Sequence, residues 1–240
     1  MAVDIQLRSD MDVELVQQTG GDESVVWAAR VSTQGSRSLE ALHADPEESK
    51  GLINFLMKNR HGTPFEHNSF TFFVSAPIFV FREYQRHRIG WSYNEESGRY
   101  KQLEPVFYIP GPSRKLIQQG KPGHYIFVEG TPEQLKREIQ RDIKAYEAAY
   151  GLYLESIADG VAKEVARTKL PVGIYTSMYA TCNARSLMAF LSLRTKDENS
   201  FFPSFPQREI EMVAEQIEAA FAEKMPITYE AFCKNGRVSP

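Results

Sequence analysis

Cysteine is scarce in this sequence: Cys182 and Cys233 are the only two in 240 residues. Two thiols cannot build a disulfide framework, so the chain reads as reduced and cytoplasmic. Long apolar runs are missing as well. Nothing approaches the ~18–20 residues that span a bilayer. The first residues lack the basic start and apolar stretch of a secretory signal. No membrane partner is expected. There is little excess charge of either sign, with 28 Lys+Arg against 31 Asp+Glu and a net charge of −3. That balance gives no global attraction to nucleic acid, so no nucleic-acid partner is expected and any basic site must be local. The glycine patterns G-x-G-x-x-G and G-x-x-x-x-G-K-[ST] are absent, which removes the common dinucleotide and triphosphate cradles. His61 and His67 flank Gly62-Thr63-Pro64-Phe65-Glu66. That spacing fits no zinc site, and neither cysteine has a partner motif, so no metal is expected.

The composition that remains is that of a soluble globular protein: 42% hydrophobic, 12% aromatic and 25% charged residues. A chain of this length hides roughly 70–75% of its unfolded surface and carries a real core. Residues 3–18 read as two short strands around Ser9-Asp10. Asp22-Glu23 opens a helix through Val25, Val26, Trp27 and Ala29. A second helix covers 47–59, with Leu52, Ile53, Leu56 and Met57 on one stripe. Residues 68–75 alternate as a strand, with Phe70, Phe72 and Val74 on one side. Pro77 fits the first turn of a helix running to about Arg86.

Residues 105–131 hold Pro105, Pro110, Pro112 and Pro122 among several glycines and read as loop. This is the only plausible domain boundary. The segments on either side carry parts of one motif set, so a single domain over 1–240 is expected. Thr131 is positioned to cap a long helix from Pro132 to about Asp159, with Leu135, Ile139, Ile143, Tyr146, Tyr150, Tyr153 and Ile157 at spacings of three and four. A short helix follows at 161–168. Residues 172–181 read as a strand, Asn183 as the cap of a helix over 184–193, and 207–223 as a helix with Ile210, Val213, Ile217 and Phe221 inward. No internal repeat is present. Strands and helices interleave irregularly, which predicts an α+β fold, with a mixed or antiparallel sheet and long flanking helices.

The unusual stretch is 82–101: Arg82, Arg86, His87, Arg88 and Arg99 among Glu83, Tyr84, Gln85, Asn94, Glu95, Glu96, Ser97 and Gly98. Guanidinium groups offer a planar fork of donors that matches phosphate oxygens. The mixture of Arg with hydroxyl, amide and Gly suits a loop around one polar, phosphorylated ligand. A solvated turn held by ion pairs has the same composition. A second group comprises Arg167, Asn183, Arg185 and Arg194. Arg185 and Arg194 lie on opposite faces of their helix, so they reach different partners, or one is a surface residue. Cys182, in an apparent strand, reads as a buried inert thiol. Ser97 has no evident base beside it, so it is a poor nucleophile.

Arg86-His87-Arg88 followed by Ser92-Tyr93-Asn94-Glu95-Glu96-Ser97-Gly98-Arg99-Tyr100 resembles the signature of the flavin-dependent thymidylate synthases (the ThyX family). Three further segments agree: His61 to His67, Ala166-Arg167 before Leu170-Pro171, and Asn183 to Met188 with Leu193-Arg194. Together they span residues 61–194. The chain departs from the pattern in three places. One residue more separates Arg88 from Ser97, placed at Gly90-Trp91. Ala189 stands where the family often has an Asn, and Glu198 where a His is usual.

The resemblance implies a ThyX-like fold, assembled as a homotetramer with active sites between subunits. It implies reductive methylation of dUMP to dTMP, with FAD as redox carrier, NADPH as reductant and 5,10-methylenetetrahydrofolate as carbon donor. Carried over, Thr63, Arg86, His87, Arg88, Glu95, Asn183, Ala184 and Arg185 would contact FAD. Glu83, Tyr84, Gln85, Arg86, Glu95, Glu96, Ser97, Gly98, Arg99 and Arg167 would contact dUMP; Glu83 stands where relatives often have Gln. Arg194 would activate dUMP, with no enzyme nucleophile. Two other readings stay open: a single-strand nucleic-acid binder with stacking aromatics, and a flavoprotein of this fold without methyl transfer.

Overall fold

The structure is a computed structural model that describes residues 3–43, 46–121 and 124–240. In chain order it runs β1 (Gln6–Arg8), β2 (Asp12–Thr19), α1 (Asp22–Gln34), α2 (Lys50–Lys58), β3 (Ser69–Pro77), α3 (Ile78–Tyr84), β4 (Trp91–Glu95), β5 (Val106–Tyr108), β6 (Ile117–Lys121) and β7 (His124–Val128). It continues with α4 (Pro132–Ala158), α5 (Lys163–Ala166), β8 (Tyr175–Cys182), α6 (Ala184–Arg194), α7 (Arg208–Lys224) and α8 (Pro226–Lys234). The class is α+β, as expected. The chain forms two compact units.

The first unit comprises Met1–Asp10, Ser75–Arg82 and Glu95–Ser177. Its core joins Leu103, Phe107, Tyr150, Tyr153, Ala166 and Ile174. Helix α4 starts where a capping box is written: Thr131 Oγ1 accepts from the Gln134 N–H at 3.2 Å, and Gln134 Oε1 accepts from the Thr131 N–H at 2.7 Å. Tyr150 and Tyr153 from this helix are buried, and their hydroxyls bond the carbonyl and the N–H of Leu103. That pins the start of the 105–131 stretch, which is not plain loop. β1 pairs in parallel with β5, and β6 pairs antiparallel with β7. Local pattern could not reveal β5, because its partner lies at the far N-terminus. β6 reads Ile-Gln-Gln-Gly-Lys, without apolar alternation. Pro122 lies outside the described residues.

The second unit comprises Met11–Val74, Glu83–Asn94 and Met178–Pro240. It holds most of a four-stranded sheet in the order β2–β3–β8–β4. Phe70, Phe72 and Val74 are fully buried on one face of β3, as the alternation requires. Ile210, Val213, Ile217 and Phe221 of α7 are buried too, and Phe70 meets Phe221 edge to face at 5.9 Å.

Three boundaries moved. Pro77 ends a strand instead of opening a helix, because β3 continues to it. α3 stops at Tyr84, and its last turn tightens where the Arg86 N–H donates to the Glu83 carbonyl and the His87 N–H to the Tyr84 carbonyl. The 82–101 stretch is not one loop, since β4 runs through it and joins the sheet. Helix α8 was not foreseen. Its first N–H groups are satisfied by a carboxylate some two hundred residues away in sequence: Asp22 accepts from Ile227 N at 3.0 Å, Thr228 N at 2.8 Å and the Thr228 hydroxyl at 2.5 Å.

Burial raises the Asp22 pKa, against the pull of those hydrogen bonds. Replacing it strands two N–H groups and a buried hydroxyl at a helix start. We therefore expect Asp22→Ala to cost about 3 kcal/mol in urea unfolding; a change under about 1 kcal/mol would show that water or another acceptor takes over those groups.

Candidate active site

The expected site residues divide between the two units. In the second unit, Arg194 closes α6, and its guanidinium is held on three sides. Nε donates to His87 Nε2 at 3.0 Å, Nη1 to Glu83 Oε2 at 2.7 Å and Nη2 to the Glu83 carbonyl at 3.1 Å. These contacts use three of its five N–H groups. The Arg194 side chain is only 16% exposed. His87 can accept from Nε only as a neutral ring. Its pKa is held down to about 4, first by burial and then by the adjacent Arg194 charge.

An aromatic cluster makes that burial. Tyr84, Trp91, Tyr93 and Phe190 pack at 4.7–5.8 Å, and the His87 ring sits edge-on to Phe190 at 4.9 Å. The Tyr93 hydroxyl donates to the His87 carbonyl at 2.6 Å. Tyr84, expected at the substrate, has its side chain wholly inside this cluster, with its hydroxyl unpartnered. Burial drives its pKa up, and that of the Cys182 thiol, which is likewise buried.

The other end of α6 carries the second group. Asn183 Oδ1 caps the helix by accepting from the Ser186 N–H at 2.9 Å. The Ala184 N–H is taken by Asn68 Oδ1 at 2.7 Å, and Ala184 is buried. Arg185 pairs with Glu66 at 2.6 Å and donates through Nε to the Pro240 carbonyl at 2.7 Å. Its guanidinium lies where a Cβ on Gly62 would be. Gly90 adopts φ +69 and packs so tightly on Ser186 that a Cβ there would collide with its hydroxyl. The segment after Arg88 is thereby seated against the start of α6. Thr63, Gln85, Arg86 and Arg88 are exposed around these elements. Arg185 in the first turn of α6 and the exposed Arg86 and Arg88 are side chains of the kind that can hold the pyrophosphate of a dinucleotide such as FAD. His87 is the exception, since its ring faces Arg194.

In the first unit the structure brings together Glu96, Ser97, Gly98, Arg99 and Arg167, with Glu95 at the end of β4. The Ser97 Oγ accepts from the Arg99 N–H at 3.3 Å, as a turn hydroxyl does, and no base adjoins it. Arg99 pairs with Glu164 at 3.1 Å, Lys101 with Glu96 at 2.8 Å, and the Arg167 side chain lies against Gly98. Sequence reasoning missed Glu66, Gly90 and Glu164, which act on the expected residues from elsewhere. Of these, Glu66 lies in the His61–His67 segment and Gly90 in the Arg-rich motif, while Glu164 falls in no motif. Among the described residues no cluster of His, Cys, Asp and Glu could hold a metal ion.

The His87 pKa sets a pH signature. Unfolded, the ring takes its proton near the ordinary 6.5; folded, near 4. Between these values the unfolded chain binds more protons, so stability falls as the pH drops from 6.5 toward 4. His87→Gln is expected to lose this part of the slope, up to ~1.4 kcal/mol per pH unit, in urea unfolding across that range. An unchanged slope would mean that folding does not shift the titration of His87.

Comparison with known proteins places the whole chain in a family. Residues 14–227 match the family described as "Thymidylate synthase complementing protein". A flavin-dependent thymidylate synthase of Streptomyces avermitilis is 65% identical over 235 residues, which cover 97% of this chain and 95% of that protein. One from Thermotoga neapolitana is 43% identical over 222 residues, 92% of this chain and 90% of the relative. Among solved structures, the UMP/dUMP methylase PolB of Streptomyces cacaoi bound with 5-Br dUMP superposes with a TM-score of 0.93 at 52% identity, covering 98% of this chain and 100% of that one. Its complex with 5-Br UMP gives 0.90 at 50% identity, covering 98% of this chain and 99% of that one. With its Arg-rich turn, its capped α6 and its held arginine in place, the chain belongs to the flavin-dependent thymidylate synthase family.

Proposed function

We propose that this chain reductively methylates dUMP to dTMP, taking the carbon from 5,10-methylenetetrahydrofolate and reducing equivalents from NADPH. The observation that carries this reading is Arg194, aimed by Glu83 and a neutral His87, in a chain of this family. FAD, when bound, supplies the redox chemistry between NADPH and the transferred carbon. Arg86, Arg88 and Arg185 hold its phosphates, with Thr63, Glu95, Asn183, Ala184 and His87 completing the contact; the last two contribute backbone more than side chain.

For dUMP, Ser97, Arg99 and Arg167 take the phosphate, and Gly98 keeps the backbone close to it. Glu83, Gln85, Arg86, Glu95 and Glu96 make the remaining polar contacts, and Tyr84 contributes through its backbone. Arg194 presents its remaining N–H groups to the pyrimidine edge and stabilises the negative charge that develops at N3 and O4. Electron density then reaches C5, which attacks the methylene carbon as that carbon's bonds to the folate nitrogens break; the C5 proton leaves as solvent-exchangeable hydrogen, and a hydride equivalent that originates in NADPH completes the methyl group. No thiol adds to the ring: Cys182 is buried, and burial keeps it protonated.

The whole chain works as one catalytic domain in a cytoplasmic homotetramer whose active sites lie between subunits. The stripe Leu135, Ile139 and Ile143 of α4 is left half-buried in the single chain, which supports a second copy there. No helix among the described residues is long and apolar enough to cross a membrane. UMP as a second acceptor is the alternative, favoured by the likeness to a UMP/dUMP methylase.

Tritium release from 5-³H-dUMP is the test. It should require FAD and methylenetetrahydrofolate, and the protein should release yellow FAD on denaturation. The same assay with 5-³H-UMP decides between the two acceptors. Arg194→Ala should lower kcat about 10²–10³-fold, and wild-type kcat in that variant would end the activation model. Ser97→Ala should raise the KM for dUMP and largely keep kcat. Abolished turnover with intact dUMP affinity would instead give Ser97 a chemical role.

A further inference from the structure

Arg237 is almost completely buried, with its side chain 3% exposed, and it is one of two non-glycine residues among those described with positive φ, at 56°. A left-handed conformation crowds the Cβ of an ordinary residue against its own backbone and is costly. It persists where surrounding contacts over-determine it, and such outliers cluster where geometry matters to function. Gly236 precedes it at φ 73°.

The contacts of this turn converge on one segment. Arg237 Nη1 and Nη2 form a fork on Glu218 at 2.7 and 2.8 Å. Nη2 also donates to Thr195 Oγ1 at 2.7 Å, and Asp197 stands 3.6 Å from Nη1. The Gly236 carbonyl accepts from the Phe201 N–H at 2.9 Å. Thr195 is the residue after Arg194. Its hydroxyl donates back to the Leu191 carbonyl at 2.7 Å, and its own carbonyl accepts from the Ser204 hydroxyl at 2.6 Å. The segment leaving α6 is therefore tied at Thr195 and Phe201 to a turn near the C-terminus, and the turn is tied to α7 through Glu218. A cleft of about 450 Å³ opens here, lined by Arg194, Phe202, Phe205, Pro206 and Arg237 among others.

We propose that the Gly236–Arg237 turn is a clasp that positions Arg194, with Arg237 and Thr195 as positioning residues for methyl transfer. The proposal rests on the reading that Arg194 acts on the substrate. Glu83 and His87 hold the tip of Arg194; the clasp holds its base. Without the clasp the last turn of α6 is free to fray, as helix ends do, and the guanidinium loses its fixed origin. A buried ion pair is costly where packing alone would serve. Here the planar fork fixes direction, which an apolar side chain cannot do.

The holoenzyme tests this through Thr195→Val, which cuts the link to Arg237 together with the hydroxyl's bond to the Leu191 carbonyl and leaves the Glu218 pair intact, and through Arg237→Lys, which loses the fork and leaves the Leu191 bond in place. We expect kcat for tritium release to fall about tenfold to a hundredfold, with FAD affinity and the dUMP KM within about twofold. Thr195→Ser, which keeps the hydroxyl, should return kcat to within about threefold of the parent. Amide hydrogen exchange across 195–204 should quicken at least about tenfold in Thr195→Val, while the middle of α6 keeps its protection. Unchanged exchange overturns the clasp. So does wild-type kcat in Thr195→Val when Arg194→Ala is crippled. Wild-type kcat in Arg194→Ala removes only the activation reading, since exchange reports the clasp without reference to catalysis. Arg237→Lys, which keeps the charge, goes through the same measurements with the same expectations, and it carries the test alone if Thr195→Val does not fold.

Discussion

A guanidinium is always charged, so the difficulty in using one is direction, not ionisation. Arg194 is directed by one carboxylate and one carbonyl from the last turn of α3 and one imidazole nitrogen from the turn that follows it. The imidazole serves only because it is neutral. A charged ring would offer a donor against a donor and a second positive charge. Burial against Phe190 keeps the proton off His87, and the packing of Tyr84, Trp91 and Tyr93 maintains that burial. Core packing, protonation state and side-chain aim form one chain of cause.

Helix α6 links two chemistries through one rigid rod. At its last turn Arg194 lies where the helix dipole favours a cation. At its first turn Arg185 adds positive charge to the positive end of the dipole, an arrangement that costs energy unless an anion is near. Glu66 meets that need in this protomer at 2.6 Å. The same surplus of positive potential suits a phosphate, and Gly62 and Gly90 clear the backbone approaches around it. The path beside Trp91 uses the left-handed region open to Gly90.

Much of this was legible beforehand where the signal is local. The β3 alternation, the Thr131 cap, the Asn183 cap and the α7 stripe each depend on residues a few positions apart, and each appears as read; that Gln134 closes the Thr131 cap into a box comes from the structure. The Arg-His-Arg turn and the later Ser-Gly-Arg run announce anion chemistry by residue type and order. Other features depend on partners distant in the chain. β5 exists because β1 lies beside it, and α8 begins where Asp22 receives its first amides. β4 is hidden inside a motif whose composition reads as loop, and only a place beside β8 makes it a strand.

The sequence by itself determined the fold class, the family and the set of residues able to bind anions, because propensity, periodicity and motif order are properties of neighbours along the chain. The tertiary structure decided what each of them does in its place. Tyr84 became core, Arg194 was aimed, His87 was held neutral, and Arg237 was buried in a strained turn that reaches Thr195. Burial and orientation arise from contacts between residues far apart in sequence, and no local pattern encodes them.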